Sequence, residues 1–504
     1  MIIQMTACTN SRSFNKRPEN TPLTSQKSTA KSPVLPNMSL DVWLKLASDS
    51  DLTKYFNFIH HNPLGLLKDS NDQEKIKDWH RKNPQYMKRW KNNIDYDEYE
   101  KIFPLYLENE IKIVFRDDNE LKVFLDSEKS KQFSQLTITC KKNFKIPFFI
   151  SPTTIIRISQ LKKLEKLTIE DCLLSIATSA LAHSFMHLEN FTTLGLKNDD
   201  IQSLNIPALF HYPSRITTLD LSKNSIRSEG IRALVDVSVN LPNLTSLKLS
   251  DNKIGPEGAR TLATSFIHFK KLTALDLSMN SLGSVSICTL ANAFVHLQNL
   301  TTLNLSGNRI GLHNARALTD ALRNLPNLTT LDFSHNIIQP EDAHALAGAL
   351  EYLPNLTTLD LSYTNIGPEE VRILADAFAH LRNLTTLNLS GNRIGSRYAR
   401  ALTDALGNIP NLTTLDLSHT NIGPEGARLL AGALEHLPNL TTLYLSYNDI
   451  GPEGARVLAD ALMHLKSLVT LNFAGNNIEA ASDHTLRRAF ERLVPQQRTA
   501  DMFF

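Results

Sequence analysis

The sequence predicts an α/β solenoid: a horseshoe with a parallel β-sheet inside and helices outside, preceded by a small helical N-terminal domain. Three observations carry this. From residue 216 onward the chain repeats itself every 28 residues, each copy opens with Leu-x-Leu alternation, and each continues into a segment whose apolar residues recur at helical spacing. The central leucine returns at Leu219, Leu247, Leu275, Leu303, Leu331, Leu359, Leu387, Leu415, Leu443 and Leu471, and two looser copies centred on Leu167 and Leu194 bring the total to twelve.

Within a repeat the strand comes first. In Ile216-Thr-Thr-Leu-Asp-Leu-Ser-Lys-Asn224 the alternation sends the leucines to one face and the intervening residues to the other. The asparagine that follows carries amide donors and a carbonyl acceptor, so it can satisfy backbone groups in the turn leaving the strand. Stacking then builds a ladder from Asn224, Asn252, Asn280, Asn308, Asn336, Asn392, Asn448 and Asn476, which Thr364 and Thr420 interrupt as local soft spots and which begins with Cys172 and Asp199. The helix starts at Ile254-Gly-Pro-Glu-Gly-Ala-Arg-Thr-Leu-Ala263, a signature repeated at Ile366, Ile422 and Ile450. Glycine permits the turn, proline suits the first helical position, and glutamate lies at the positive end of the helix dipole. Ala259, Leu262, Ala263 and Phe266 then face the strands. A helix is about 10–12 Å wide and paired strands sit about 4.8 Å apart, so stacking curves the array with its strands inside.

This L-x-x-L-x-L-x-x-N pattern over residues 164–494 resembles the leucine-rich repeat, in its long ribonuclease-inhibitor-like class, also found in Nod-like receptors and in the activator of the Ran GTPase. The resemblance implies a protein-binding horseshoe. It also raises GTPase activation as an alternative, although no residue here matches a catalytic arginine motif. Residues 301–384 align with 385–468 at 61 of 84 positions, which reads as a tandem duplication of three repeats.

Residues between the core leucines point into the horseshoe. Their central column reads Thr168, Gly195, Asp220, Lys248, Asp276, Asn304, Asp332, Asp360, Asn388, Asp416, Tyr444 and Asn472, and one edge carries His335, Tyr363, His419 and Tyr447. An acidic floor with aromatic points suits a basic protein partner. The same aspartates and serines would also serve to keep an exposed sheet soluble. Asn-Leu-Thr recurs at Asn243, Asn299, Asn327, Asn355, Asn383, Asn411 and Asn439. Its fixed place just before each strand reads as a turn-forming asparagine and not as a glycosylation acceptor.

The N-terminal third differs. Residues 1–163 hold 27 Lys and Arg against 19 Asp and Glu, a net charge of +8, whereas the remainder carries −6. The lysines alternate with acids, so nucleic acid is not an expected partner. Residues 1–37, rich in Ser, Thr, Asn, Lys and Pro, read as a disordered leader, similar to the N-terminal signals of bacterial type III secreted effectors. Residues 38–110 read as helical. Met38-Ser-Leu-Asp-Val-Trp-Leu-Lys-Leu-Ala47 resembles the opening of an F-box, with Met38 and Ser39 in place of Leu-Pro and Asp41 in place of Glu. That resemblance implies docking of Leu40, Asp41, Val42, Trp43 and Leu46 on the Skp-type linker of a cullin ubiquitin ligase, with the repeats capturing a substrate. Residues 111–163 are expected to cap the array, with Leu136-Thr-Ile-Thr-Cys140 as a worn strand, and residues 495–504 to form a tail after a capping helix around Arg487 to Arg492.

Several chemistries lack their motifs. No G-x-x-x-x-G-K-[ST], H-E-x-x-H or Cys/His cluster occurs, so neither catalysis nor a metal or cofactor is expected. No apolar run approaches the roughly 18 residues of a membrane span. Cys8, Cys140, Cys172 and Cys288 are scattered, which argues against a disulfide framework and for a reducing, cytoplasmic setting, including the cytosol of a host cell.

Overall fold

The computed structural model describes residues 94–95, 110–140, 149–478 except 175, 200, 202–204, 212–213 and 312–314, then 484 and 501–503. All belong to the compact unit Lys77–Phe504. They form one sheet of sixteen strands, each hydrogen-bonded to its neighbours in sequence, and every pairing is parallel. The strands are β1 (Ile94–Asp95), β2 (Glu110–Phe115), β3 (Gln135–Cys140), β4 (Lys166–Glu170), β5 (Thr193–Lys197), then β6 (Thr218–Asp220) to β15 (Thr470–Asn472), and finally β16 (Asp501–Phe503). From β6 to β15 each strand has three residues and lies in register with the next, as in Leu331↔Leu359. The ten central leucines are at most 1% exposed. Helices alternate with the strands on the other layer, and in the second 28-residue repeat Ala259, Leu262 and Ala263 of the helix Gly255–Ala263 turn their apolar sides inward.

The asparagine ladder forms as the motif implies. Its eight asparagines are at most 2% exposed. Asn252 is typical: its amide donates to Leu221 O at 2.9 Å and Leu249 O at 3.0 Å, while its carbonyl accepts Asn224 N at 2.9 Å and Ile226 N at 3.3 Å. One side chain thus ties its own turn to the preceding repeat. Thr364 and Thr420 keep part of this. Their hydroxyls donate within the turn to Leu361 O (2.7 Å) and Leu417 O (2.6 Å), and their N–H groups donate to Asn392 and Asn448. A hydroxyl has a single donor, so it does not also reach the preceding repeat as an amide does.

At the N-terminal end the structure corrects two expectations. The strand Gln135–Cys140 does not close the sheet. β2 pairs with it in register, with Ile111↔Leu136 and Ile113↔Ile138, because Glu110-Ile-Lys-Ile-Val-Phe115 alternates and buries Ile111, Ile113 and Phe115 completely. Cys140 and Cys172, 32 residues apart, form a disulfide with Cα atoms 5.4 Å apart. Stacking brings the end of β3 beside the turn after β4, a proximity that linear spacing does not reveal. Disulfides belong to oxidising surroundings, so the cysteines no longer argue for a reducing compartment.

At the other end, residues 501–503 are a strand and not a free tail: Thr470↔Asp501, Leu471↔Met502 and Asn472↔Phe503 pair. An open parallel edge at β15 presents unpaired N–H and C=O groups, and these residues satisfy them. The expected capping helix around Arg487 to Arg492 lies outside the described residues.

In the ladder's second position stands Asp199, fully buried. Its Oδ1 accepts Cys172 N at 2.9 Å, and its Oδ2 has no partner. Burial pushes its carboxyl well above the ordinary carboxylate range, and the backbone N–H of Cys172 offsets this only in part. A raised folded pKa means the native state takes up a proton, so this group's contribution to stability falls as pH rises through that value. Asp199→Asn is therefore expected to raise the urea midpoint at neutral pH, with the gain shrinking as pH falls through the carboxylate range. Asn252→Ala is expected to lower stability by about 2–4 kcal/mol, because it leaves buried backbone groups unpaired. Thr364→Asn should raise stability by about 1 kcal/mol by restoring the link to the preceding repeat. Urea titrations compare all three.

Candidate functional site: the concave face

Each three-residue strand ends on the residue of the central column, and where that residue is Asp or Asn it also makes the turn. Asp332 Oδ1 accepts Ser334 N at 3.0 Å and Ser334 Oγ at 2.7 Å. Asp220, Asp276 and Asp360 hold Ser222, Ser278 and Ser362 in the same two ways, and Asp416 accepts Ser418 N at 2.8 Å. Where asparagine replaces aspartate the bond persists, as at Asn304 and Asn388. The aspartates thus terminate strands with one carboxylate oxygen, as Asx turns do. Their charge is a separate matter, since asparagine suffices for the turn.

That charge is distributed unevenly. Asp220 is paired: Lys197 lies 3.4 Å from it and 3.3 Å from Glu170, which Lys112 approaches at 2.7 Å. Burial works against the Lys197 charge, yet Asp220 and Glu170 outweigh it and its pKa is raised. The sequence column placed Asp220 in the acidic floor, but the lysine from β5 neutralises it locally. Asp276, Asp332, Asp360 and Asp416 have no cationic partner among the described residues. Asp332 and Asp360 sit directly opposite each other in adjacent strands, an arrangement like charges disfavour. Asp360 Oδ2 accepts Asn388 Nδ2 at 2.9 Å. Asp332 has its carboxyl raised, by burial first and by Asp360 and Asp276 in addition, although Ser334 works the other way.

The rim is formed by the turns that leave the strands. Its residues adopt the left-handed conformation, with φ of 54° at His335, 53° at Tyr363, and 55° at both His419 and Tyr447. That region favours glycine, and bulky side chains there are uncommon. The four residues pair off: His335 stacks on Tyr363 with centroids 4.8 Å apart and planes 3° apart, and His419 stacks on Tyr447 at 4.4 Å and 14°. Tyr363 is 49% exposed and Tyr447 58%. Each tyrosine ring lies over a glycine of the next repeat, where a Cβ on Gly391 or Gly475 would come within 2.5 or 2.6 Å of it. Tyr444 takes the central-column position next to Asp416.

The opposite edge is built from the Asn-Leu-Thr tripeptides. Asn327, Asn383 and Asn439 donate through Nδ2 to Gln298 O, Pro354 O and Pro410 O in the preceding repeat at 2.9–3.0 Å. They form a second ladder across repeats, beyond the local turn role that their spacing suggested. Together with threonines such as Thr301 and Thr329 they line an open groove of about 1190 Å³.

The ten residues assigned to the concave face and its rim stand at the ends of the strands from β6 to β14 or in the turns that leave them, spread along the sheet and not gathered at one point, and the rim pairs add the stacking and the glycine seats. Leu40, Asp41, Val42, Trp43 and Leu46 lie outside the described residues. Among the described residues no group of three or more His, Cys, Asp and Glu could hold a metal ion, and no helix is long and apolar enough to cross a membrane.

Leucine-rich repeat profiles match residues 347–394 and, in a second profile, 215–235, 240–263, 296–312, 324–347, 408–431 and 436–459. The chain carries leucine-rich repeats. A solved LRR protein of Leptospira interrogans is 21% identical at a TM-score of 0.39, covering 69% of this chain and 92% of its own. No curated protein matches the sequence. Leucine-rich repeats generally mediate protein–protein interaction.

The raised carboxyl of Asp332 sets a test of the floor's electrostatics. Its native state takes up a proton in the window between the ordinary and the raised value and loses stability as pH rises through it. Asp332→Asn keeps the turn and removes the charge facing Asp360. The substitution should raise the urea midpoint at neutral pH, and the difference should close in mild acid.

Proposed function

We propose that this chain is a non-enzymatic scaffold whose concave face binds a basic protein partner. The observation that carries this reading is the row Asp276, Asp332, Asp360 and Asp416, without counter-ions among the described residues, beside the exposed His–Tyr stacks. Charge of one sign on an extended face steers an oppositely charged partner, and tyrosine is enriched where binding energy concentrates. The open groove and the sheet face suit a macromolecule better than a small ligand, which needs a concave pocket. The composition of residues 1–37 and the tandem duplication support a bacterial effector that acts in a host cell. The F-box-like segment supports a second reading, an adaptor that joins a Skp-type linker to a captured substrate.

Charge reversal tests the first reading. Replacing Asp332, Asp360 and Asp416 by lysine should weaken binding of a purified partner by about tenfold or more, most strongly at low salt, with the far-UV spectrum unchanged. Unchanged affinity would remove the concave floor from the interface. For the adaptor, Trp43→Ala should abolish linker binding while leaving the urea midpoint of the repeats in place; retained linker binding would sink that role.

A further inference from the structure

The two His–Tyr stacks are copies of one another. His419 and Tyr447 follow His335 and Tyr363 by 84 residues, the length of the duplicated block, and each stack has an aspartate three residues before its histidine, Asp332 or Asp416. Three parallel pairings separate those aspartates, through Asp360 and Asn388. At about 4.8 Å per strand the subsites are about 14 Å apart. An extended polypeptide advances about 3.3 Å per residue and returns its side chains to the same face every second residue, so residues i and i+4 span about 13 Å on one face.

The subsites are also built alike. In both, the tyrosine is seated over a glycine of the following repeat, Gly391 (φ 69°) or Gly475 (φ 69°). Met279 lies over Gly307 in the same manner, so Met279, His335, Tyr363, His419 and Tyr447 form an apolar and aromatic strip along the rim. An aromatic side chain in a left-handed turn is a costly choice where glycine would serve. The strip runs beside carboxylates that no described cation neutralises. Basic residues of the same region are Lys248 in the floor and Arg309 and Arg393, the latter two standing two positions beyond the rim glycines.

We propose that the rim strip binds an extended segment of the partner that carries two arginines four residues apart, one against each His–Tyr stack and its aspartate. This rests on the concave-face reading and names the partner's chemistry. Guanidinium is the fitting group because it is planar, weakly hydrated and always charged, so it stacks on aromatic rings while facing a carboxylate. Two weak contacts on one chain reinforce each other only when their spacing matches the sites.

The test uses the full chain and Gly/Ser peptides holding two arginines at i and i+4, at i and i+3, or two glutamates at i and i+4. Binding is read by fluorescence anisotropy at low ionic strength. The i,i+4 arginine peptide should bind about tenfold tighter than the i,i+3 peptide, and the glutamate peptide should not bind. Tyr363→Ala with Tyr447→Ala should erase the spacing preference, while the double Tyr→Phe variant, which keeps the rings, should retain it at an unchanged urea midpoint. Equal affinity for both spacings, tighter binding of the glutamate peptide, or a preference that survives loss of both rings would overturn the proposal. If the peptides fail while lysine substitutions in the floor still weaken a purified partner, only this inference falls; if both leave binding unaltered, the concave-face reading falls with it.

Discussion

From β6 to β15 every repeat leaves the sheet after three residues, and in turning away it buries backbone N–H and C=O groups that must then be satisfied from within. A buried asparagine, with two donors and an acceptor on a short stem, meets these groups in its own turn and in the repeat before it. The leucines supply the driving force for burial, but they would suit many stacked arrangements. The asparagine bonds demand one register, with strand above strand at equal spacing, and the helices follow on the outside. Substitutions in this column therefore bear on the whole array. Threonine retains the bond inside the turn and the bonds to the following repeat but gives up the amide's bond to the preceding one, whereas Asp199 brings a carboxyl into a place made for an amide.

Equal spacing has a consequence for function. Any residue type recurring at one position becomes a straight column, so that the array displays four of them: the Asx column that ends the strands, the serines it holds, the rim, and the edge asparagines. In the Asx column structure and charge separate, because asparagine keeps the backbone bond that closes the turn, although it lacks the serine hydroxyl bond that most of the aspartates add. The choice of aspartate at Asp332 and Asp360, face to face in neighbouring strands, works against stability and is not required by the fold. On the rim, likewise, the turn favours glycine and the chain spends aromatic residues there. These two departures from what the architecture needs are the reason to place binding on this surface.

The strand positions, the ladder and the concave columns were legible because a 28-residue period magnifies a weak local signal by repetition. Where the period fails, legibility failed too. The strand Glu110–Phe115 had the right alternation but no repeat to set its phase, and Asp501–Phe503 pairs because the preceding strand offers an open edge, a reason that lies outside its own residues. The Cys140–Cys172 pair and the neutralisation of Asp220 by Lys197 are contacts between neighbours about one repeat apart, in the stretch where repeat length drifts from 28, so no count along the chain aligned them. The F-box-like residues stand where they stood, on a resemblance.

By itself, the sequence determined the solenoid class, the strand register from β6 to β15, the identity of the core and of every column on the concave face, since each follows from side-chain periodicity and from the few residues able to satisfy a buried turn. Tertiary structure alone decided which neighbours across repeats interact: His335 with Tyr363 and His419 with Tyr447, each tyrosine over a glycine, and Lys197 on Asp220 in place of a fifth solvent-facing charge. Those contacts depend on the tilt of side chains from one repeat toward the next, and a one-dimensional pattern holds the residues without the direction in which they lean.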